Sequence, residues 1–82
     1  MHRIPRDISG RELCKLLGRF GYAVTRQTGS HIRLSALQTV RAHHITIPNH
    51  DPVKIGTLNK ILHDIAEFQK ISKEELIQQL WG

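Results

Sequence analysis

The order of hydrophobic patterns in this 82-residue chain predicts an α+β fold: a helix, a three-stranded antiparallel sheet, a second helix and a short last helix. Three observations carry the prediction. Apolar residues recur at helical spacing up to Phe20 and again from Ile55 onward. Between them lie short stretches in which strand-forming residues alternate with polar ones, the period of half-buried strands. The first two stretches are separated by Gly29-Ser30, a pair suited to a tight hairpin turn.

Residues 1–8 form a basic leader broken by Pro5. The first helix is expected over 9–21. Ser9-Gly10-Arg11-Glu12 fits a capping box, with Ser9 accepting from the first turn and Glu12 reaching back. Leu13, Leu16, Leu17 and Phe20 form its apolar face, Arg11, Lys15 and Arg19 its polar one, and Gly21 is placed to end it. Strands are expected over 22–28, 31–35 and 43–47. Alternation puts Ile32, Leu34, Ile45 and Ile47 on one face and His31, Arg33, His44 and Thr46 on the other. The connection from Ala36 to Arg41 lacks Gly and Pro.

The second helix is expected over about 52–69. Either Asp51 caps it with Pro52 at the first helical position, or it starts near Gly56 with Thr57 as the cap. Ile55, Leu58, Ile61, Leu62, Ile65 and Phe68 make its stripe. A short helix over 72–81 opens on Ser72-Lys73-Glu74-Glu75, a second capping-box match. One layer of helices over one face of the sheet completes a single domain.

Composition narrows the partners. Twelve Lys and Arg against seven Asp and Glu give a net charge of +5, a balance suited to a polyanion or an acidic protein surface. Cys14 is the only cysteine, so no intrachain disulfide exists, and its place in an apolar pattern reads as a small buried hydrophobe. No run approaches a membrane span, and the N-terminus lacks a secretory h-region. These features point to a soluble, cytoplasmic protein.

The chemistry concentrates at Gly29-Ser30-His31. A Gly-Ser turn brings backbone N–H groups close to an anion, because Gly tolerates the angles required. The adjoining imidazole transfers protons near neutral pH. His43, His44, His50 and Asp51 are close in sequence, but adjacent strand residues face opposite ways and no zinc-motif spacing is present. Neither a metal nor a cofactor is expected, and His50 is expected to hydrogen-bond the loop after Pro48.

Taken in order, Ser9-Gly10-Arg11-Glu12, Gly29-Ser30-His31, Thr46-Ile47-Pro48-Asn49-His50 and Gly56-Thr57-Leu58 followed by Ile61-Leu62 resemble the HicA family of toxins from toxin–antitoxin pairs, over roughly residues 7 to 80. The chain departs from the family pattern in the connection between the second and third strands. It departs again in the segment 63–70, about one helical turn longer than in shorter members. The resemblance implies a fold similar to the double-stranded-RNA-binding domain. It also implies an endoribonuclease acting on messenger RNA as a stress-response toxin, with His31 as the key histidine. A HicB-type antitoxin would cover that histidine; the toxin would be monomeric when free and hetero-oligomeric with its antitoxin.

In that reading His31 is the general acid or base. Gly29 and Ser30 hold a phosphate oxygen, and Arg26, Arg33 and Lys54 neutralise the RNA backbone. The alternative is a non-catalytic module that binds double-stranded RNA by shape. Aromatic residues are only 5% of the chain, too few on the predicted open face for base-stacking recognition. Glu74, Glu75 and Trp81 suit a partner surface, and equally capping and core packing.

Overall fold

The computed structural model describes residues 4–38 and 40–82. Residues 1–3 of the basic leader and Thr39 of the connection between the second and third strands lie outside the described residues. The elements run α1 (Gly10–Leu17), a 3-10 turn (Gly18–Phe20), β1 (Tyr22–Thr28), β2 (His31–Leu37), β3 (Ala42–Pro48), α2 (Ile55–Gln69) and α3 (Lys73–Trp81). This is the expected α+β order, that of a double-stranded-RNA-binding-domain-like fold with one more helix. Two compact units divide the chain, one of Asp7–Val53 and one built on Lys54–Gly82.

In the first unit, the Glu12 amide donates to Ser9 Oγ at 3.1 Å and the Ser9 hydroxyl donates to Glu12 Oε1 at 3.1 Å. The carboxylate therefore reaches the cap's hydroxyl, and the amide bond satisfies one of the helix's orphan donors. Leu13 and Leu17 are fully buried, whereas Leu16 and Phe20 are half-buried, so the apolar face is narrower than its spacing suggests. The α-helix tightens into the 3-10 turn at Gly18, and Gly21 ends it with a φ of 85°, a conformation glycine enters without steric cost.

The sheet order is β1-β2-β3, antiparallel throughout. Ile32 lies opposite Ile47 and Leu34 opposite Ile45, and all four are buried. Pairing runs on past the expected end of β2, because Ala36 is also buried and lies opposite His43. The Tyr22 hydroxyl and His43 Nδ1 are 2.6 Å apart, with their rings edge-on. A bond from the Gln38 amide to the Arg41 carbonyl (2.7 Å) closes the connection without Gly or Pro. Helix α1 packs on β1 and β3. Its approach is set by Gly10, whose amide donates to the His50 carbonyl at 2.9 Å. A Cβ at Gly10 would stand 2.2 Å from the Pro48 carbonyl oxygen.

In the second unit, neither expected cap of α2 is used. Lys54 is the N-cap, with no side-chain hydrogen bond. Upstream, Val53 is buried, and its amide donates to the Ile8 carbonyl at 2.9 Å. Lys54 itself is extended, with φ −60° and ψ 139°, so the helix begins after it and the first helical acceptor is the Lys54 carbonyl. Thr57 falls within the first turn instead of capping it. The stripe is Leu58, Ile61, Leu62, Ile65, Ala66 and Phe68, all buried. Ile55, expected in it, is 43% exposed, because it precedes the stripe by a turn. Lys70 closes α2 in the left-handed conformation.

Helix α3 packs on α2 and opens as expected, with the Glu75 amide donating to Ser72 Oγ at 3.0 Å. Only that half of the box forms, since the Glu75 carboxylate accepts from Gln79 Nε2 at 3.1 Å. The Lys73 ammonium donates to Asn59 Oδ1 of α2. Leu76, Ile77 and Leu80 are buried and Trp81 is half-buried. Among the described residues no charged or polar side chain is fully buried. Whatever chemistry the chain performs therefore sits at its surface.

Candidate nucleic-acid interface

The β1–β2 hairpin presents the candidate residues. Thr28 lies opposite His31, so Gly29 and Ser30 are its two loop residues. Gly29 has a φ of 50°, and both primed hairpin turns require positive φ at the first loop position. A Cβ there would meet nothing within 4 Å, so Gly29 is held to glycine by backbone conformation and not by space. The turn is anchored to the end of β3 by the Asn49 amide, which donates to the Ser30 carbonyl at 2.7 Å. His50, on the next residue, accepts from Gly10 of α1 through its carbonyl. The loop after Pro48 is thus tied down by backbone groups, while the exposed His50 ring makes no hydrogen bond among the described residues.

His31 begins β2 beside this turn. It is exposed, and its ring has no hydrogen-bond partner among the described residues. Strand geometry puts Arg33 and Ser35 on the same side of β2. Arg26 pairs directly with Arg33 across β1 and β2, just past a register shift between Val24 and Arg26. Like charges directly opposite on a sheet repel, yet both arginines are exposed and no carboxylate of the described residues pairs with either. An unneutralised arginine pair next to a solvent-open imidazole is an anion-binding arrangement with a proton-transfer group at one end.

The same face carries a polar chain that patterning did not single out. Ser35 Oγ lies 2.6 Å from His44 Nδ1 on β3 and 3.5 Å from Thr25 Oγ1 on β1, and Thr25 Oγ1 donates to the Arg33 carbonyl at 3.4 Å. His44 falls on the expected face, but its partner Ser35 emerges only from the cross-strand register. Thr46 lies opposite Arg33 and Pro48 opposite His31. A further signal is in the chain itself: residues 13–50 contain no Asp or Glu, while Lys15, Arg19, Arg26, Arg33 and Arg41 all fall within them.

Five of the expected site residues, Arg26, Gly29, Ser30, His31 and Arg33, thus share one hairpin. Lys54, the sixth, is an exposed residue that opens α2 in the other unit, and the hairpin does not include it. His43 and His44 do diverge: His43 meets Tyr22, His44 meets Ser35. No group of three or more His, Cys, Asp or Glu with the arrangement of a metal site occurs among the described residues. Cys14 is half-buried, and burial pushes its thiol above the ordinary value, which keeps it protonated and a poor nucleophile. No helix of the described residues is long and apolar enough to cross a membrane.

Comparison with known proteins gives one match. No curated protein and no solved structure matches the chain. The family model described as the HicA toxin of bacterial toxin–antitoxin systems matches residues 10–66, from the first residue of α1 to Ala66 near the end of α2. That span takes in the first helix without its Ser9 cap, the whole sheet with its Gly29-Ser30-His31 hairpin, and most of the second helix. The chain therefore belongs to the HicA family, the toxin component of bacterial toxin–antitoxin systems, which act with a cognate antitoxin.

Proposed function

We propose that this toxin is an endoribonuclease that cuts messenger RNA in the cytoplasm, with His31 as its general acid or base. The observation that carries the reading is the His31 ring itself, solvent-open and unpaired beside a glycine-serine turn, with the Arg26–Arg33 pair on the same hairpin. RNA supplies its own nucleophile. The 2′-oxygen forms a bond to phosphorus as the bond to the 5′-oxygen breaks. One proton leaves the 2′-hydroxyl and one reaches the departing 5′-oxygen. An imidazole at His31 handles one of these transfers, and solvent water the other. Ser30 and the N–H groups of the turn face the non-bridging oxygens, and Arg26 and Arg33 offset the backbone charge. A single acid–base group is worth about 10²–10⁴ in rate, and slow cutting suffices to stop translation. Inhibition follows from a HicB-type antitoxin covering His31 in a hetero-oligomer, with the free toxin monomeric.

His31→Ala is expected to lower single-turnover cleavage of labelled single-stranded RNA by at least about 100-fold and to abolish growth arrest on expression. The hairpin geometry does not depend on the ring, so the thermal midpoint should stay within a degree or two. Undiminished cleavage by that variant sinks the reading. The carboxylate-free sheet also favours a second reading, a non-catalytic RNA-binding module. Intact but retarded RNA after long incubation with the wild-type chain would select it.

A further inference from the structure

The mechanism uses one end of the sheet face and leaves its other end, the Thr25–Ser35–His44 chain, without a task. We propose that Ser35 and His44 form a second RNA-backbone subsite, which receives a phosphate of the strand one or two nucleotides from the bond at His31. Which bond is cut rests on the ribonuclease reading; the binding does not.

The argument starts from position. His31, Arg33 and Ser35 alternate along one side of β2, and His44 is the cross-strand partner of Ser35. At ~3.4 Å per residue, the four residues from His31 to Ser35 span about 14 Å, with Arg33 midway. This row matches the reach of an extended single strand of two nucleotides, one anionic group to each station. The face carries no carboxylate, because β1, β2 and β3 contain no Asp or Glu.

The second part is hydrogen-bonding capacity. Nδ1 of His44 is engaged by Ser35 Oγ, and His44 is exposed. Its Nε2 has no partner among the described residues. When the Ser35 hydroxyl donates to Nδ1, the ring proton resides on Nε2 and points outward as a donor. Thr25 Oγ1 donates to the Arg33 carbonyl and lies 3.5 Å from Ser35 Oγ, which holds the serine beside the ring. The ring is thus held by a hydroxyl at Nδ1, and in that tautomer its open Nε2 presents the N–H that a phosphate oxygen requires. A histidine with only a solvating role needs no such support.

The test uses the full chain in a His31→Ala background, so that RNA stays intact, with fluorescence anisotropy of labelled single-stranded oligoribonucleotides of increasing length. Asn at 44 reproduces Nδ1 but not Nε2, whereas Gln reproduces the Nε2 donor. His44→Asn is expected to weaken binding of the longer strands about tenfold and to leave the shortest ones unchanged. His44→Gln should restore much of the loss. With His31 intact, His44→Asn should raise KM and hold kcat within about twofold. Thermal melting of each variant confirms the fold. Equal affinity of His44→Asn and its parent at every length overturns the proposal, as does a loss of the same size at every length. A loss of antitoxin affinity with RNA binding intact also overturns it, and makes the face a protein-docking surface. If the wild-type chain cuts no RNA, the ribonuclease reading fails while the length dependence still decides this one.

Discussion

The β1–β2 hairpin and the paired C-terminal helices differ in how they balance their charges. From Lys54 to Gly82, four lysines meet four carboxylates, and several polar side chains there have local structural partners. Ser72 caps α3, Gln79 bonds Glu75, Lys73 bonds Asn59 and His63 lies 3.5 Å from Glu67. In the sheet, His31, Arg26 and Arg33 have no such partners among the described residues, and two like charges face each other. Folding alone does not ask for that arrangement, since repulsion across a strand pair destabilises. The contrast teaches where to look for function: the helical region balances its charges, whereas the hairpin leaves Arg26, His31 and Arg33 open to a ligand.

Substitutions test that contrast in order of size. Leu62→Ala removes a fully buried side chain from the helical stripe and should cost about 2–5 kcal/mol, read from the denaturant midpoint. Gly10→Ala should cost about 1–3 kcal/mol, the range for forced overpacking, because the new methyl meets the Pro48 carbonyl. That position also anchors the segment which holds the Gly29-Ser30 turn, so a full loss of RNA cleavage with only a partial loss of stability would show the turn to be the more sensitive of the two. Ser72→Ala deletes a cap and should cost about 1 kcal/mol with cleavage unchanged. Arg33→Gln should move the two properties apart. Relief of the like-charge pair is worth up to about 1 kcal/mol of added stability. Loss of one phosphate contact should lower RNA affinity and flatten its log–log salt dependence by about 0.7–0.9. A stabilised Arg33→Gln protein with full RNA affinity would erase the distinction between the two regions.

Much of this was legible in the chain. Periodicity located every helix and strand, because the apolar stripes at Leu13/Leu17 and Leu58/Leu62/Ile65 and the alternation at Ile32/Leu34 are local consequences of burial on one face. Caps at Ser9 and Ser72 were legible for the same reason: the donor they satisfy lies three residues away. The start of α2 was not, because its N-cap is Lys54, which makes no side-chain capping bond and so leaves no signature in the residue types. Nor was the end of β2, where pairing continues through Ala36 to meet His43.

The candidate site divides along the same line. Sequence alone determined a basic, carboxylate-poor middle third with a glycine-serine turn and an outward-facing His31, since turn chemistry and strand alternation act over a few residues. Only the tertiary structure decided that Arg26 stands opposite Arg33 after a register shift, that Ser35 orients His44, and that Gly10 must stay small beneath the Pro48 carbonyl. These are meetings between residues that the backbone brings together from separate elements. The two-residue turn sets the pairing near Gly29-Ser30, but the shift between Val24 and Arg26, the pairing of β2 with β3 and the approach of α1 depend on contacts distant in sequence.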